Sequence, residues 1–199
     1  MIEIPTDLPA DLAPLSWLLG VWEGTGVIDY TAEDEHFTGE FSHRVSFSHD
    51  GGDALNYSAS AWLIDGDART PLVSEVGFWR LVRPAGPADA GPALLPGRGP
   101  APQRTADDVE ALRTSEGGFE IEAAIVHADG VSELYLGQIR GPRIDLATDA
   151  VVRSASAKKY TAATRMYGLV DGHLLWAWDI AALGAELASH ASARLAKAP

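Results

Sequence analysis

The sequence predicts an all-β fold, a closed antiparallel up-and-down β-barrel of about ten strands. Short segments of alternating or β-rich character recur along most of the chain, and turn-forming residues separate them. Closure of a sheet of that size removes the unpaired edges that it would otherwise expose. The length of 199 residues and a hydrophobic content of 46% suit a sizeable core. We therefore expect a single barrel domain over residues 1–199.

The first element is a glycine-rich motif at residues 20–26, with the sequence Gly-Val-Trp-Glu-Gly-Thr-Gly. Alternating glycines remove side chains from one face of a strand, so another backbone or a bound ring can approach closely. Trp22 could cap the end of the barrel core. On residue types alone, a tight turn that enters a strand ranks first for this motif.

The following elements are strands connected mainly by tight turns. Predicted strands cover residues 26–30, 41–47, 54–64, 73–82, 119–127, 132–139, 144–147, 160–170 and 173–180. Residues that tolerate positive φ mark hairpin turns at 50–53, 65–67, 128–130 and 171–172. The last segment, 181–197, is rich in Ala and Leu, and propensity alone predicts a helix there.

Residues 84–108 interrupt this pattern because Pro, Ala and Gly dominate them. Such a segment cannot bury enough apolar surface to offset the entropy lost on ordering. We predict a flexible loop insertion within the barrel. An interdomain linker is the weaker alternative, because strand-like segments of the same kind resume after it.

The charge and the cysteine content restrict the function. A net charge of -13 disfavours nucleic acid and anionic membrane surfaces as partners, since both require clustered Lys and Arg. The absence of cysteine excludes disulfides and thiol chemistry, so any redox function must reside on a cofactor. The N-terminus has no secretory signal and no apolar run reaches transmembrane length, which predicts a cytoplasmic protein.

Most of the six histidines have ordinary explanations. His36 and His43 are predicted at the surface, while His49 and His127 precede turns and are assigned to capping or solvating them. His173 begins a strand. No pair has the spacing of a zinc site, and the chain contains no serine-hydrolase elbow, P-loop or dinucleotide fingerprint.

His190 is the remaining candidate, because its neighbours Ala and Ser leave room for a flat ligand. Taken without any family, a lone histidine among small residues is more often a surface or internally satisfied group than a ligand. Neutral imidazole is nonetheless the usual proximal ligand of haem iron.

Several motifs, taken in their shared order, resemble the nitrobindin family of haem-binding β-barrels, once described as fatty-acid-binding-protein-like. The motifs are LLGVWEGTG at 18–26, VSFSH at 45–49, PLVSEVGFWR at 71–80, HADGVSE at 127–133, AK at 157–158, RMY at 165–167 and LASHASARL at 187–195. The resemblance implies a ten-stranded antiparallel barrel with one haem b at its mouth.

The resemblance also implies the site residues. His190 matches the axial iron ligand, and we follow the family in placing it on the last strand rather than in a helix. Lys158 matches a haem contact whose charge could pair with a propionate. Thr31 matches a pocket residue, although the Pro of the family's Tyr-Pro-Thr is missing here. Val73 replaces the histidine of many relatives, which predicts a more apolar distal wall.

For the function, the resemblance implies that ferric haem isomerises peroxynitrite to nitrate. The iron would act as Lewis acid and redox centre, and no catalytic residue is needed beyond it. Reversible binding of nitric oxide is a related activity, and a homodimer is left open. A third hypothesis is a barrel that binds haem only weakly and serves as a haem sensor or store.

The alternative is a lipocalin-like carrier of an apolar small molecule without haem. Five tryptophans could line its cavity, although most could equally fill the core: Trp22, Trp62, Trp79, Trp176 and Trp178. His190 discriminates between the two hypotheses, because a lipid carrier does not need it.

Overall fold

The computed structural model describes residues 8–32, 35–100 and 104–199. Ten antiparallel strands form a closed barrel, in which consecutive strands pair and the first pairs with the last. The strands are β1 (Gly20–Ala32), β2 (Glu35–Ser48), β3 (Ala54–Asp65), β4 (Ala68–Leu81), β5 (Phe119–His127), β6 (Val131–Arg140), β7 (Arg143–Arg153), β8 (Tyr160–Val170), β9 (His173–Ala182) and β10 (Ala188–Lys197). The predicted all-β barrel is confirmed.

Two short helices accompany the barrel, a 3₁₀ helix (Ala10–Leu18) before β1 and α1 (Ala106–Glu110) between β4 and β5. Neither of these described helices has the length and apolar character needed to span a bilayer. The 3₁₀ helix packs Leu12, Leu15 and Leu18 into the core at one end of the barrel. Trp22 lies at this junction, where its indole N–H donates a 2.7 Å hydrogen bond to the Leu18 carbonyl. The 3₁₀ helix thus covers one end of the core.

The glycine motif lies within β1, so the interpretation as a turn is wrong and the close approach of another backbone is observed. Gly24 pairs with Leu195 and Gly26 with Ala193 on β10. A Cβ atom at either glycine would collide with a backbone carbonyl oxygen of β10. The missing side chains therefore let β10 pack against β1 and close the barrel.

The C-terminal segment forms β10 rather than the helix that propensity alone predicts. Ala191, Ala193 and Leu195 alternate with exposed residues and are buried in the barrel. Hydrogen-bonded neighbours on both sides, β1 and β9, fix the extended conformation. Pairing with two strands therefore overrides the weak helical preference of alanine and leucine.

The connection between β4 and β5 contains the predicted insertion at 84–108, of which residues 101–103 lie outside the described residues. Arg83, just before it, forms ion pairs with Asp53 at 2.8 Å and Asp89 at 2.7 Å. Arg104 pairs with Asp11 of the 3₁₀ helix at 2.8 Å. These contacts attach the connection to the end of the barrel that the 3₁₀ helix covers. Its flexibility stays a prediction.

Candidate functional site

A cavity of about 300 Å³ lies at the opposite end of the barrel from the 3₁₀ helix. Its volume is at the lower end of the range of small-molecule sites. The lining is mainly apolar and aromatic and includes Ile28, Phe41, Val73, Trp176, Trp178 and Ile180. The chain therefore provides an apolar pocket whose few polar groups determine its chemistry.

His190 enters this cavity through a β-bulge. Ser189 pairs with Asp179 and Ala191 with Trp178, so His190 is an extra residue without an opposite partner on β9. In a regular strand, alternation would place His190 on the outer face together with Ser192 and Arg194. The bulge instead allows the adjacent residues His190 and Ala191 both to line the cavity.

The ring of His190 is held by aromatic contacts and has no hydrogen-bond partner for its buried Nδ1 among the described residues. Its centroid lies 4.4 Å from that of Tyr30 and 5.8 Å from that of Trp178, which it meets edge to face. Burial lowers the pKa of His190. The neutral form, which is the form that binds metals, is therefore favoured.

The other two predicted site residues differ in position. Thr31 is exposed and lines a smaller recess of about 100 Å³, which His190 also lines. Lys158 is exposed in the β7–β8 connection, where its backbone carbonyl accepts a hydrogen bond from Arg153. The structure thus brings Thr31 beside His190 and leaves the Lys158 side chain outside the cavity lining. Their roles toward a ligand stay predictions.

Two of the five tryptophans considered as cavity residues line the pocket, Trp176 and Trp178. Trp22 and Trp79 are buried in the core, which was the simpler explanation for most of them. Trp62 lies partly exposed on β3 and contributes to a separate surface recess. Val73 lies in the cavity wall, so this position provides an apolar surface and no imidazole.

A buried ionic cluster, which the sequence analysis missed, lies next to the cavity. Arg165 on β8 donates two hydrogen bonds of 2.8 Å to the carboxylate of Glu75 on β4. Its Nη2 is also 3.4 Å from Oε2 of Glu133 on β6. Burial by itself would raise the pKa of Glu75, but the facing guanidinium and the hydrogen bonds lower it to about 2. Both glutamates are fully enclosed and ionised.

Tyrosines complete this cluster by donating to the carboxylates. Tyr57 donates a 2.6 Å hydrogen bond to Glu75, while Tyr135 and Tyr160 donate bonds of 2.7 and 2.6 Å to Glu133. Carboxylates that accept several hydrogen bonds stay ionised in a low-dielectric interior. The cluster is therefore a fixed set of charges beside the ligand pocket.

His127 belongs to the cluster, so its assignment to capping a surface turn is wrong. The side chain is buried, lines the cavity, and places Nε2 2.6 Å from Oε2 of Glu133. Its ring stacks on Trp178 at 6.1 Å with an interplanar angle of 22°. The alternation of β5 gave a usable signal, because His127 is in phase with the buried residues Ile121, Ala123 and Ile125.

His43 is also misplaced by the sequence analysis, because it is buried inside the barrel rather than at the surface. Its Nδ1 lies 3.1 Å from the Ser60 carbonyl, and its ring lies 4.8 Å from that of Trp176. Burial lowers the pKa of His43 to about 4. His36, in contrast, is exposed as predicted and contacts Asp29.

We expect the protein to lose stability as the pH falls from 6.5 to 4. The unfolded chain protonates His43 near pH 6.5, whereas the folded chain resists protonation until about pH 4. Through His43, the free energy of unfolding is therefore about 3 kcal/mol higher above pH 6.5 than below pH 4. Urea unfolding at pH 7 and pH 4 should show a smaller acid loss for His43→Gln than for the original chain. The exposed control His36→Gln should keep the full loss, and equal losses in all three proteins would refute the assignment.

Comparison with known proteins gives consistent matches over almost the whole chain. Residues 11–197 match the family described as THAP4-like, heme-binding beta-barrel domain. A protein named peroxynitrite isomerase from Leifsonia xyli subsp. xyli is 68% identical over 198 residues, which cover all of both chains. Another of that name, from Clavibacter michiganensis subsp. michiganensis, is 60% identical and covers 98% of each.

A solved structure, Rv2717c from M. tuberculosis, superposes with a TM-score of 0.67. It covers 96% of this chain and 99% of its own, at 24% sequence identity. This likeness supports the barrel fold alone.

Proposed function

The chain belongs to the THAP4-like haem-binding β-barrel family, and from this premise we propose that it is a peroxynitrite isomerase holding one haem b through His190. The observation that supports the proposal best is the bulge at His190. It directs a neutral imidazole, whose buried Nδ1 has no partner among the described residues, into an apolar cavity.

The donor set fits a haem better than a bare metal ion. The described residues contain no group of three or more His, Asp or Glu side chains that could hold an ion by themselves. A single imidazole suffices for haem, because the porphyrin supplies four nitrogen ligands. The apolar walls suit the ring system, and exposed Phe37 and Leu72 extend the apolar surface outward from the cavity. The residues present therefore fit the cofactor.

We assign the polar edge of the cofactor to Thr31 and Lys158. Thr31 shares a recess with His190, which supports a place beside the ring. Lys158 precedes Tyr160, a cavity residue, by two positions, so its backbone lies at this end of the barrel. An exposed ammonium that pairs with a propionate contributes about 0–1 kcal/mol, so Lys158 orients the cofactor more than it anchors it.

Bound haem would supply the Lewis-acid and redox chemistry that converts peroxynitrite to nitrate. The two anions are isomers, so the net reaction requires no side chain to deliver or remove a proton. The task of the protein is to hold the cofactor through His190 and to keep water from the reacting atoms. Val73, Ile180 and Trp176 provide that apolar enclosure.

The activity test is the nitrate yield from peroxynitrite. We expect hemin-loaded protein to accelerate peroxynitrite decay in stopped flow and to raise nitrate relative to nitrite, compared with buffer. Haem-free protein is the matched control and should leave both decay and yield unchanged. A nitrate yield equal to that in buffer would reject the activity and leave the carrier function as the alternative.

Nitric oxide binding at ferrous iron is a related activity that we also propose. Val73 offers such a ligand no imidazole donor at its position in the wall. The cytoplasmic location and the homodimer stay predictions from the sequence.

A further inference from the structure

The backbone of His190 receives little support from the neighbouring strands. On the side of β9, His190 is the extra residue of the bulge between Ser189 and Ala191. On the side of β1, the described pairing of β10 ends at Ala191, which lies opposite Ile28. His190 thus lies just beyond the paired part of β1 and outside the ladder with β9. Side-chain contacts must therefore determine where its ring points.

The ring of His190 also lacks the hydrogen bond that usually orients a metal-binding histidine. Such a histidine commonly donates from its second ring nitrogen to a carboxylate, a backbone carbonyl or water. The buried Nδ1 of His190 has no partner among residues 8–32, 35–100 and 104–199. Within this part of the chain, aromatic contacts are what remain to hold the imidazole.

Two aromatic side chains enclose the imidazole from different directions. Tyr30 on β1 packs over the ring, with 4.4 Å between the centroids and 34° between the planes. Trp178 on β9 meets it edge to face, at 5.8 Å and 79°. Tyr30 also accompanies His190 in lining both the cavity and the smaller recess. A ring packed on its face and against its edge has little freedom to turn.

Both enclosing side chains are themselves supported. Tyr30 pairs with Phe37 on β2, and their ring centroids are 5.7 Å apart. Trp178 lies between the stacked ring of His127 and the guanidinium of Arg165, whose central carbon is 4.4 Å from the indole centroid. The buried ionic cluster thus fixes Trp178, and Tyr30 packs the imidazole against this fixed wall.

We propose that Tyr30 is the positioning residue of the iron ligand, since its ring packs on His190 and holds it against Trp178 in place of the usual hydrogen bond. This inference rests on the proposed function, in which His190 binds haem iron. A hydrogen-bond partner at the second nitrogen would raise the basicity of the ligand, whereas an aromatic contact does not. Tyr30 therefore orients a neutral imidazole without making it a stronger donor.

The test is a double-mutant cycle on hemin affinity. Tyr30→Leu removes the ring and should raise the hemin dissociation constant by about threefold to tenfold, the contribution of one aromatic pair. Tyr30→Phe keeps the ring and should bind hemin like the original chain. In the His190→Gly background, Tyr30→Leu should change the dissociation constant by less than about twofold, because the imidazole that Tyr30 positions is gone.

The matched control is Phe41→Leu, which removes a ring from the same cavity. The aromatic contacts of Phe41 are with His43 and Trp176 rather than with His190. Its effect on the hemin dissociation constant should therefore be the same factor in both backgrounds. Tyr30→Val provides a second variant if the leucine variant does not fold, because β-branched residues suit strands.

The haem-free protein provides a readout that requires no cofactor. A nuclear Overhauser contact between the ring protons of His190 and Trp178 reports whether the imidazole keeps its place. We expect this contact in the original chain and in Tyr30→Phe, and its loss or clear weakening in Tyr30→Leu. The contact between His127 and Trp178 should persist in all three proteins.

The outcomes separate this inference from the proposed function. An equal rise of the dissociation constant on Tyr30→Leu in both backgrounds would overturn the inference, because Tyr30 would then act on the cofactor or the fold rather than on His190. An unchanged contact between His190 and Trp178 in Tyr30→Leu would overturn it as well. Hemin binding by His190→Gly as tight as that of the original chain would contradict the proposed function and, with it, the role of Tyr30 toward the iron.

Discussion

Replacement of Arg165 by methionine is expected to lower the free energy of unfolding by about 3–5 kcal/mol. The change leaves Glu75 and Glu133 enclosed without the guanidinium that faces both. Removing one partner of a buried ion pair costs more than the pair itself contributes, because the remaining charge stays desolvated. Urea unfolding at pH 7 measures the loss.

The matched control is Arg143→Met, which removes an arginine from a solvent-exposed pair with Asp145. An exposed pair contributes about 0–1 kcal/mol, so this loss should be several times smaller. The double variant Arg165→Met with Glu75→Gln should recover part of the stability, because it also removes one stranded charge. Equal losses for the two single arginine variants would show that the buried cluster does not stabilise the barrel in the way described.

The strand order could be predicted because its signals are local. Alternating burial along β5 and β8 and the turns at 128–130 and 171–172 are visible in short windows of sequence. The predicted ends of the strands were less accurate than their order. β7, for example, continues to Arg153 beyond the predicted end at residue 147, because Thr148–Arg153 pair with β6 while β8 pairs only as far as Ala147.

The ionic cluster could not be predicted from the sequence. Glu75 and Arg165 lie 90 positions apart and meet across the barrel interior. Their inward direction could be extrapolated from buried neighbours in the same strands, such as Trp79 and Tyr167. Pairing between them depends on barrel closure, which no local pattern records. The sequence analysis therefore gave neither Glu75 nor Arg165 a role.

The family resemblance placed His190 correctly on the last strand, which local patterns in the sequence could not do. Alanine and leucine around it favour a helix, and even a regular strand would turn its ring outward. The bulge between Ser189 and Ala191 reverses that direction. The bulge has no signature in these small residues, so the sequence alone favoured a surface or internally satisfied histidine over a ligand.

Replacement of His190 by glycine is expected to weaken haem binding by more than about 100-fold while the barrel stays folded. Losing a partner of a metal ligand already costs about 10–100-fold in affinity, and here the ligand itself is removed. The buried Nδ1 makes no hydrogen bond to the described residues, so the haem-free protein loses only the ring's aromatic contacts and some backbone rigidity, about 1–2 kcal/mol of stability. Hemin titration and urea unfolding measure the two effects, with His173→Gly as the control.

The central claim is that the imidazole of His190 would bind the iron of a haem held in this cavity. The most direct measurement is the absorption spectrum of hemin-loaded His190→Gly before and after addition of free imidazole. We expect the variant to lack the sharp Soret band of the original chain and to regain it when imidazole occupies the vacated position. A His190→Gly spectrum identical to that of the original chain, without added imidazole, would contradict the claim.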